Sequence, residues 1–362
     1  MLDVRLMEKS DYADFSALLG RATSAVFTQS LEYLNYLRDV LSNSQPMHLV
    51  AVDKYGDICG ALPLMIQDGA IGRVINSLPY YGSHGSLILD ATKPDDVRAE
   101  LLHALDSLVR ETNTLSCTVI DSPLDVVPTS SWISSDFEDE RVCQMTFLPT
   151  SDSYEDAREA ILSAVHSKTR NQIRKGLSQS YRICHTEETW ALEGLHRIHL
   201  DNLEVIGGLA KSKLSLEAIP VHFQYDRHYR VYCALLDDQI VAALLVFYFK
   251  DHVEYFMPAV DHQHRSKQAL SAIIFSAMID GVVDKRARIW NWGGTWTSQT
   301  SLHHFKARWG AKDMPYRYAT RLGPQAPRDL GSMNRRYLAE TYPNFYVVPY
   351  SSTIEDKVHT EV

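Results

Sequence analysis

The chain has 362 residues, 45% of them hydrophobic and 22% charged, and its formal net charge is −9. This composition is typical of a soluble globular protein of roughly two domains, and the negative charge disfavours a general attraction to nucleic acid. The longest apolar run, 241–249, is well short of the ~18 residues of a membrane span. The chain does not open on a signal-peptide pattern, and its five cysteines are scattered without a CxxC pair. We therefore expect a cytoplasmic protein with reduced cysteines and no bound metal.

In the first half, hydrophobic period and turn residues predict a helix, three strands, a second helix and a short strand. Their ranges, in that order, are 30–42, 47–52, 58–66, 73–80, 94–110 and 117–120. The second half predicts the same order of elements, at 188–206, 230–236, 240–249, 252–260, 267–283 and 288–292. Because residue identity hardly repeats between the halves, the pattern indicates a duplicated architecture.

The boundary between the halves is predicted near Pro149. Ser153 and Asp156 give a capping-box-like start to a helix there, and no linker rich in Pro, Gly or Ser is present. We predict domains at 1–149 and 150–322, followed by a tail over 323–362 that packs on the body. The predicted fold class is α/β (α+β), with two tandem domains that each hold a mixed, mainly antiparallel sheet flanked by helices.

Four short stretches, in order along the chain, carry a resemblance to a known family. They are FTQSLEYLNYL at 27–37, LPYYGSHGSLI at 78–88, SKTRNQIRKG at 167–176 and FKARWGAKDMPYRY at 305–318. The last stretch, with its Phe-Lys-x-x-Trp-Gly turn, is the most specific of the four. On these motifs the chain resembles the FemAB-like acyltransferases of the GNAT superfamily.

The resemblance implies two tandem GNAT-like domains, with the acyl-donor site in the second, and transfer of an acyl or aminoacyl group onto an amine. It implies an acceptor that is an amino sugar, a peptide or a small metabolite, with a role in envelope glycan biosynthesis; transfer to a hydroxyl stays open. The donor is either an aminoacyl-tRNA or an acyl thioester on CoA or a carrier protein, and no permanently bound cofactor is implied. No helical arm is visible between 205 and 230, which disfavours a tRNA donor.

Three residues are candidates for the chemistry, because attack of an amine on an ester or thioester needs a base and a stabilised oxyanion. Lys306, in the Phe-Lys-x-x-Trp-Gly turn, is the candidate for charge stabilisation. Tyr255 is placed to bond the leaving group. Glu254, its neighbour on the opposite face of the same predicted strand, is the candidate base, with Asp261 as another. The alternatives are a solvated lysine and a tyrosine packed within the sheet.

A substrate pocket is predicted around the motif NWGGTW. Gly293 and Gly294 are expected to turn the chain off the last core strand, so that the charge of Lys306 enters the pocket. The predicted walls of the pocket are three tryptophans, Trp292, Trp296 and Trp309.

The loop at 261–270 lies where a GNAT domain cradles pyrophosphate on the amides of a helix N-terminus. Arg265 and Gln268 are its candidate ligands. The glycines that allow close backbone approach to a pyrophosphate are missing, which disfavours acetyl-CoA.

Two further groups are candidates for substrate binding. A basic cluster on a predicted helix is expected to bind phosphates, with a solvated helix face as the alternative; its members are Lys168, Arg170 and Arg174. A loop of the first domain lines an acceptor groove or is a plain hairpin end; its members are Tyr80, Tyr81 and His84.

Two other functions stay open. The missing glycines of the donor loop also fit a catalytically degenerate GNAT-like pair that acts as a binding or regulatory module. A nucleic-acid-binding protein has only the basic cluster in its favour, against the net charge. The sequence has no nucleophile elbow, no Ser-His-Asp order and no P-loop, which argues against hydrolases and kinases.

Overall fold

The computed structural model describes residues 2–41, 43–78, 84–90, 94–204, 210–296 and 298–353. Contacts divide the chain into two compact units. Unit 1 consists of residues 1–141 and 315–362, and unit 2 of residues 142–314. The two boundaries between the units, after residues 141 and 314, each fall inside a strand. The domain bounds of 1–149, 150–322 and 323–362 stay a prediction.

The described residues form a mixed α/β fold of mainly antiparallel strands flanked by helices, which confirms the predicted fold class. The strands are β1 (Asp3–Leu6), β2 (Ser44–Pro46), β3 (Leu49–Val52), β4 (Ile58–Leu62), β5 (Met65–Gly69), β6 (Gly72–Asn76), β7 (Ile88–Leu89), β8 (Thr114–Ile120), β9 (Phe137–Phe147), β10 (Arg182–Thr186), β11 (Tyr229–Leu236), β12 (Gln239–Phe249), β13 (His252–Val260), β14 (Ile289–Thr295) and β15 (Lys312–Leu322). The helices are α1 (Tyr12–Arg21), α2 (Leu31–Val40), α3 (Pro94–Glu111), α4 (Tyr154–Ala164), α5 (Ser167–Leu177), α6 (Thr189–Glu204), α7 (Lys213–Glu217), α8 (Ile219–His222), α9 (Ala269–Val283), α10 (Thr300–Ala307) and α11 (Arg335–Thr341). None of these helices has both the length and the apolar character required to cross a bilayer.

Unit 1 holds two sets of paired strands. One has the order β1-β3-β4-β7, and the other has the order β15-β8-β6-β5-β2. Most of the pairs are antiparallel, but β6 and β8 are parallel, because helix α3 carries the chain back between them. Pro94 opens α3, and Asp95 and Asp96 in its first turn suit the positive end of the helix dipole.

The strand predicted at 58–66 is wrong in one respect, because the structure divides it at Pro63. Strand β4 ends at Leu62 and pairs with β3, whereas β5 begins at Met65 and pairs with β6. Proline has no N–H to donate to a ladder, so a strand is readily interrupted there. The chain uses this break to move from one set of strands to the other.

Unit 2 reproduces the order of elements that its sequence predicts. Strands β11, β12 and β13 form an antiparallel meander, helix α9 follows, and β14 returns parallel to β13. Helix α9 packs against α4, α5 and the meander, and 11 of its 15 residues are buried, which explains why it is apolar on all sides. The predicted cap of α4 is also confirmed, since the Ser153 side chain accepts from the Asp156 N–H.

The C-terminal segment of unit 1 is held by buried polar contacts. The Asn76 side chain donates to the Tyr346 carbonyl (2.8 Å) and accepts from the Tyr346 N–H (2.8 Å). The Tyr342 hydroxyl donates to the Gly72 carbonyl (2.8 Å). Because Asn76 is fully buried, both of its bonds lie away from competing water, and they fix the segment to β6.

We expect Asn76→Ala to destabilise the protein by about 1–3 kcal/mol, because it leaves a buried N–H and a buried carbonyl without partners. Urea unfolding, followed by intrinsic fluorescence, measures the loss. Asn171→Ala, at an exposed position of α5, is the control and should change stability by less than about 0.5 kcal/mol. Equal effects of the two substitutions would contradict the role given to Asn76.

Candidate active site

Strands β13 and β14 run side by side for three residue pairs and then separate. Their last parallel pair is Glu254 with Asn291. Both strands lie wholly within the described residues and continue, β13 to Val260 and β14 to Thr295, but the ladder between them ends at this pair. The register of β13 against β12 also shifts around Phe256, and a bulge of this kind bends a strand. The two strands therefore leave a gap that begins beside Glu254.

Strand β14 carries a bulge of its own. Its register against β9 shifts between Asn291 and Gly294. Gly293 has φ +71°, a left-handed conformation that favours glycine. The Asn291 side-chain oxygen accepts a 2.8 Å hydrogen bond from the Gly293 N–H. The glycine pair thus bends the strand without ending it.

Lys306, on α10, contacts this bulge directly. Its Nζ donates to the carbonyl oxygens of Gly293 (3.2 Å) and Gly294 (3.3 Å) and to Thr295 Oγ1 (2.7 Å), so each of the three ammonium hydrogens has a protein acceptor. The side chain is 3% exposed. Burial lowers the pKa of Lys306 to about 8, which leaves it charged at neutral pH. Lys306 therefore positions the backbone of β14. The sequence had suggested that it projects into an open pocket, and the structure does not show this.

The polar contacts of Lys306 continue into β9. Thr295 Oγ1 donates to Gln144 Oε1 (3.3 Å), and Gln144 Nε2 donates to the His303 carbonyl and to Asp313 Oδ1, both at 3.2 Å. Gln144 is fully buried. These bonds tie β14, β9 and α10 together around the bulge.

Glu254 is half-buried at the start of the gap. Its Oε1 accepts a 3.1 Å hydrogen bond from Asn291 Nδ2, and Asn291 Oδ1 accepts a further bond from the Cys143 thiol (3.2 Å). Burial raises the pKa of the Glu254 carboxyl to about 7, and the bond from Asn291 opposes that rise. Burial and the nearby Glu254 raise the pKa of the Cys143 thiol well above its ordinary value, so Cys143 is neutral. A carboxyl with a pKa near 7 is suited to accept a proton at neutral pH.

The predicted aromatic walls belong to the core instead of to an open pocket. Tyr255 packs against Trp292 and Trp290, with ring centroids 4.8 and 6.1 Å apart, and burial raises its pKa. Trp292 and Trp309 are 3% and 1% exposed and lie in the cluster around α9. Trp296 is half-buried outside that cluster, and its backbone N–H donates to Gln299 Oε1 (3.2 Å). Tyr255 thus packs against the core cluster that includes α9, which agrees with the alternative of a tyrosine packed within the sheet.

The loop before α9 is closed by its own side chains. Gln268 caps α9 with φ +66°, a conformation in which a side chain is strained and glycine is not. Its Nε2 donates to the Arg265 carbonyl (3.1 Å), and the Arg265 guanidinium donates to Asn202 Oδ1 (2.8 Å). The loop therefore keeps the turn that a glycine would favour, with glutamine in its place.

Helix α5 approaches this loop closely, because a Cβ added to Gly176 would lie 2.4 Å from the Gln268 carbonyl oxygen. Lys168 and Arg174 are exposed on α5. Arg170 is not part of that surface, since its Nη1 donates to the Val165 carbonyl (2.5 Å) at the end of α4. The sequence analysis grouped Arg170 with Lys168 and Arg174 as one basic cluster, and the structure separates Arg170 from these two exposed cations.

In unit 1, Tyr80 and Tyr81 lie outside the described residues. His84 is 2% exposed, and its ring packs edge-to-face on Tyr316 with centroids 4.8 Å apart. Its contacts are those of a packed side chain.

Sequence reasoning missed the polar residues that surround the bulge. Asn291, Gln144 and Thr295 stand beside apolar residues of their strands, and this contrast was the only signal in the sequence. Their roles depend on partners that are distant along the chain, so spacing could not reveal them. Across the part of the chain that the structure describes, no group of three or more His, Cys, Asp or Glu side chains forms a metal site.

Comparison with known proteins bears on the fold and on unit 2. Residues 167–307 match the family model described as an acetyltransferase (GNAT) domain. The crystal structure of FemX has 11% identity and a TM-score of 0.67, and the match covers 88% of this chain and 97% of that one. A tandem GNAT protein from the clavulanic acid biosynthesis pathway has 15% identity and a TM-score of 0.53, with coverage of 91% and 100%. L-PGS from Bacillus licheniformis has 11% identity and a TM-score of 0.52, with coverage of 88% and 93%. No curated protein matches the chain.

The segment 167–307 is therefore similar to a GNAT acetyltransferase domain, and the chain has the fold of tandem GNAT proteins and FemX. The resemblance inferred from the four sequence motifs is confirmed at this level. The gap between β13 and β14, Glu254 and the bulge all lie within the matched segment.

We expect Lys306→Met to lower the free energy of unfolding by about 1–3 kcal/mol, because it removes the three hydrogen bonds that the ammonium donates to Gly293, Gly294 and Thr295. Denaturant unfolding measures the change. Lys175→Met, at an exposed lysine of unit 2, is the control and should have little effect. A Lys306→Met protein as stable as the wild type would show that the lysine does not hold the bulge.

Glu254→Gln should make the protein more stable at pH 8, by roughly 1–3 kcal/mol. The folded-state pKa of Glu254 is about 7, above its ordinary 4.5, so wild-type stability falls as pH rises through this window. Glutamine does not titrate, so the difference between the proteins should shrink as pH falls from 7 towards 4.5. A difference that does not depend on pH would contradict the raised pKa.

Proposed function

We propose that the chain is a FemAB-like acyltransferase that joins an acyl or aminoacyl group to the amine of an acceptor, with Glu254 as general base. The observation that carries the proposal is the position of Glu254. It is a half-buried carboxyl with a pKa of about 7, placed where β13 and β14 separate inside a GNAT domain.

In the proposed reaction, the acceptor nitrogen attacks the carbonyl carbon of an ester or thioester. The C–N bond of an amide forms, and the C–O or C–S bond to the donor breaks. The Glu254 carboxylate takes the proton that the nitrogen loses and then gives it up to the leaving oxygen or sulfur, so that the base is ionised again at the end of the reaction. The base has to be ionised at the start, so the rate should fall as pH drops below about 7.

Asn291 and Lys306 are positioning residues in this proposal. Asn291 Nδ2 holds Glu254 Oε1, while its Oδ1 holds the Gly293 N–H. Lys306 holds the next two carbonyl groups of the same strand. The base and the bent strand are therefore held in one arrangement, which limits the reorganisation that the reaction requires.

The acyl donor is proposed to be an aminoacyl-tRNA or an acyl thioester on CoA or a carrier protein, and each of these carries phosphate. The loop before α9 and helix α5, which approaches that loop at Gly176, carry exposed cations that would meet that charge: Lys168, Arg174, Lys175, Arg265 and Lys267. Gln268 keeps the left-handed turn of the loop but adds a side chain there, which reduces the room for close backbone contact with a pyrophosphate. The acceptor is proposed to be an amino sugar, a peptide or a small metabolite, in keeping with a role in the cell envelope.

Glu254→Gln should lower kcat by roughly 10²–10⁴-fold, the usual contribution of a general base. Release of CoA or of free tRNA in the presence of an amine acceptor measures it, over a series of pH values. Glu159→Gln, at an exposed carboxylate of α4, should keep the wild-type rate and the wild-type pH profile. An active Glu254→Gln enzyme with an unchanged profile would remove Glu254 from the chemistry.

The donor class is tested by titration calorimetry with CoA and acetyl-CoA, followed by assays with charged tRNA. Saturable binding of acetyl-CoA together with amine-dependent release of CoA would assign a thioester donor. Consumption of aminoacyl-tRNA without CoA binding would assign aminoacyl transfer. If no donor is consumed with any amine, the chain is a binding or regulatory module and the proposed reaction is wrong.

A further inference from the structure

Unit 1 contains a cavity of about 310 Å³ between helix α3 and the strands β8 and β15. Its inner wall is apolar and includes Leu105, Val109, Val119 and Ala319. A short helical turn that carries Trp132 lies at its edge. The lining residues of the cavity all lie outside the segment 167–307, and the cavity belongs to a different unit from Glu254.

Small side chains keep this cavity open. Cys117 and Ala319 both line it, and they lie on one face of the β8–β15 ladder, in which Ala319 pairs with Val119 and Arg321 with Cys117. Helix–sheet layers normally interlock at crystal-like density, and unfilled space costs stability in proportion to its volume. A space of this size is within the range of small-ligand pockets.

The rim of the cavity has an excess of positive charge. Asp106 forms ion pairs with both Arg110 and Arg321, so one carboxylate faces two guanidinium groups. Arg98, next to the lining residue Ala99 on α3, stacks on the Trp132 ring at 4.8 Å and pairs with Asp95 at 2.7 Å, while its Nε is buried without a hydrogen-bond partner. Arg321 itself lines the cavity. Because two guanidinium groups face the single carboxylate of Asp106, this part of the rim suits an anion, and the apolar lining suits an alkyl or aryl group.

We propose that the unit 1 cavity binds a small monocarboxylate with an apolar body, of about ten non-hydrogen atoms in all. The apolar part lies against Val119 and Ala319. The carboxylate of the ligand meets the guanidinium of Arg321, whose planar shape suits a carboxylate. The same guanidinium also pairs with Asp106. The proposal concerns a site in unit 1 and does not depend on the reaction proposed for unit 2.

The test uses the full chain, with octanoate as the probe. Titration calorimetry measures its binding. Octanoate should bind saturably, and octylamine and 1-octanol should bind at least roughly tenfold more weakly, because they lack the anion. Equal binding of all three would overturn the carboxylate specificity, and the absence of saturable octanoate binding would overturn the site.

Variants locate the site and give changes in both directions. Ala319→Phe fills the cavity and should abolish octanoate binding, with Cys117→Met as a second filling variant if the first does not fold. Arg321→Gln should weaken binding roughly tenfold, whereas Arg317→Gln, on the same strand and outside the lining, should leave it unchanged. Asp106→Asn removes the competing carboxylate and should tighten binding several-fold. Retained affinity in both filling variants, or no change in Arg321→Gln and Asp106→Asn, would place octanoate elsewhere and contradict the proposal.

Discussion

The carbonyl oxygens of Gly293 and Gly294 are the groups on which the architecture of the candidate site depends. The bulge in β14 takes Gly293 out of register with β9, and pairing resumes at Gly294; backbone carbonyls that are shielded from water need hydrogen-bond partners. The ammonium of Lys306 supplies both with hydrogen bonds. Because Lys306 also binds Thr295, which binds Gln144, the bend is held by one connected set of bonds. The strand can therefore leave its neighbour without losing the hydrogen bonds that a buried backbone requires.

The same bend explains the unusual state of Glu254. If β13 and β14 continued to pair, a carboxylate at this position would be enclosed by the sheet, and its charge would be very costly. If the strands were far apart, water would surround the carboxyl and its pKa would be ordinary. The gap that begins at Glu254 gives an intermediate environment, which raises the pKa to about 7 and leaves one bond to Asn291. The raised pKa of Glu254 thus reduces the stability of the protein at neutral pH. The same raised pKa suits the carboxyl to accept a proton.

The sequence predicted the secondary-structure elements better than it predicted the contacts between side chains. The three meander strands of unit 2, helix α9 and strand β14 follow from local apolar period, and these predicted elements are confirmed. The break at Pro63 carried a local signal, because proline cannot extend a ladder, yet the apolar run across it concealed the change of partner. Lys306 was predicted to place its charge in a substrate pocket, but spacing cannot tell whether an ammonium meets a substrate or carbonyl groups of its own chain. Asn291 was missed because its partners Glu254 and Cys143 are far away in sequence.

A comparison of the two units gives a physical reason why the chemistry is proposed for unit 2. In each unit a strand leads by way of a helix to a parallel neighbour, β6 to β8 and β13 to β14. The last residue of β6 in its parallel ladder is Asn76, and the last residue of β13 in its ladder is Glu254. In unit 1 the Asn76 amide is bonded on both sides to the backbone of Tyr346, so the C-terminal segment takes up the polar group at the end of the ladder. In unit 2 that position holds a carboxyl, and the amide lies on the neighbouring strand, as Asn291, where it holds the carboxyl and the bulge together. One architecture thus ends in a structural bond in one unit and in a titratable group in the other.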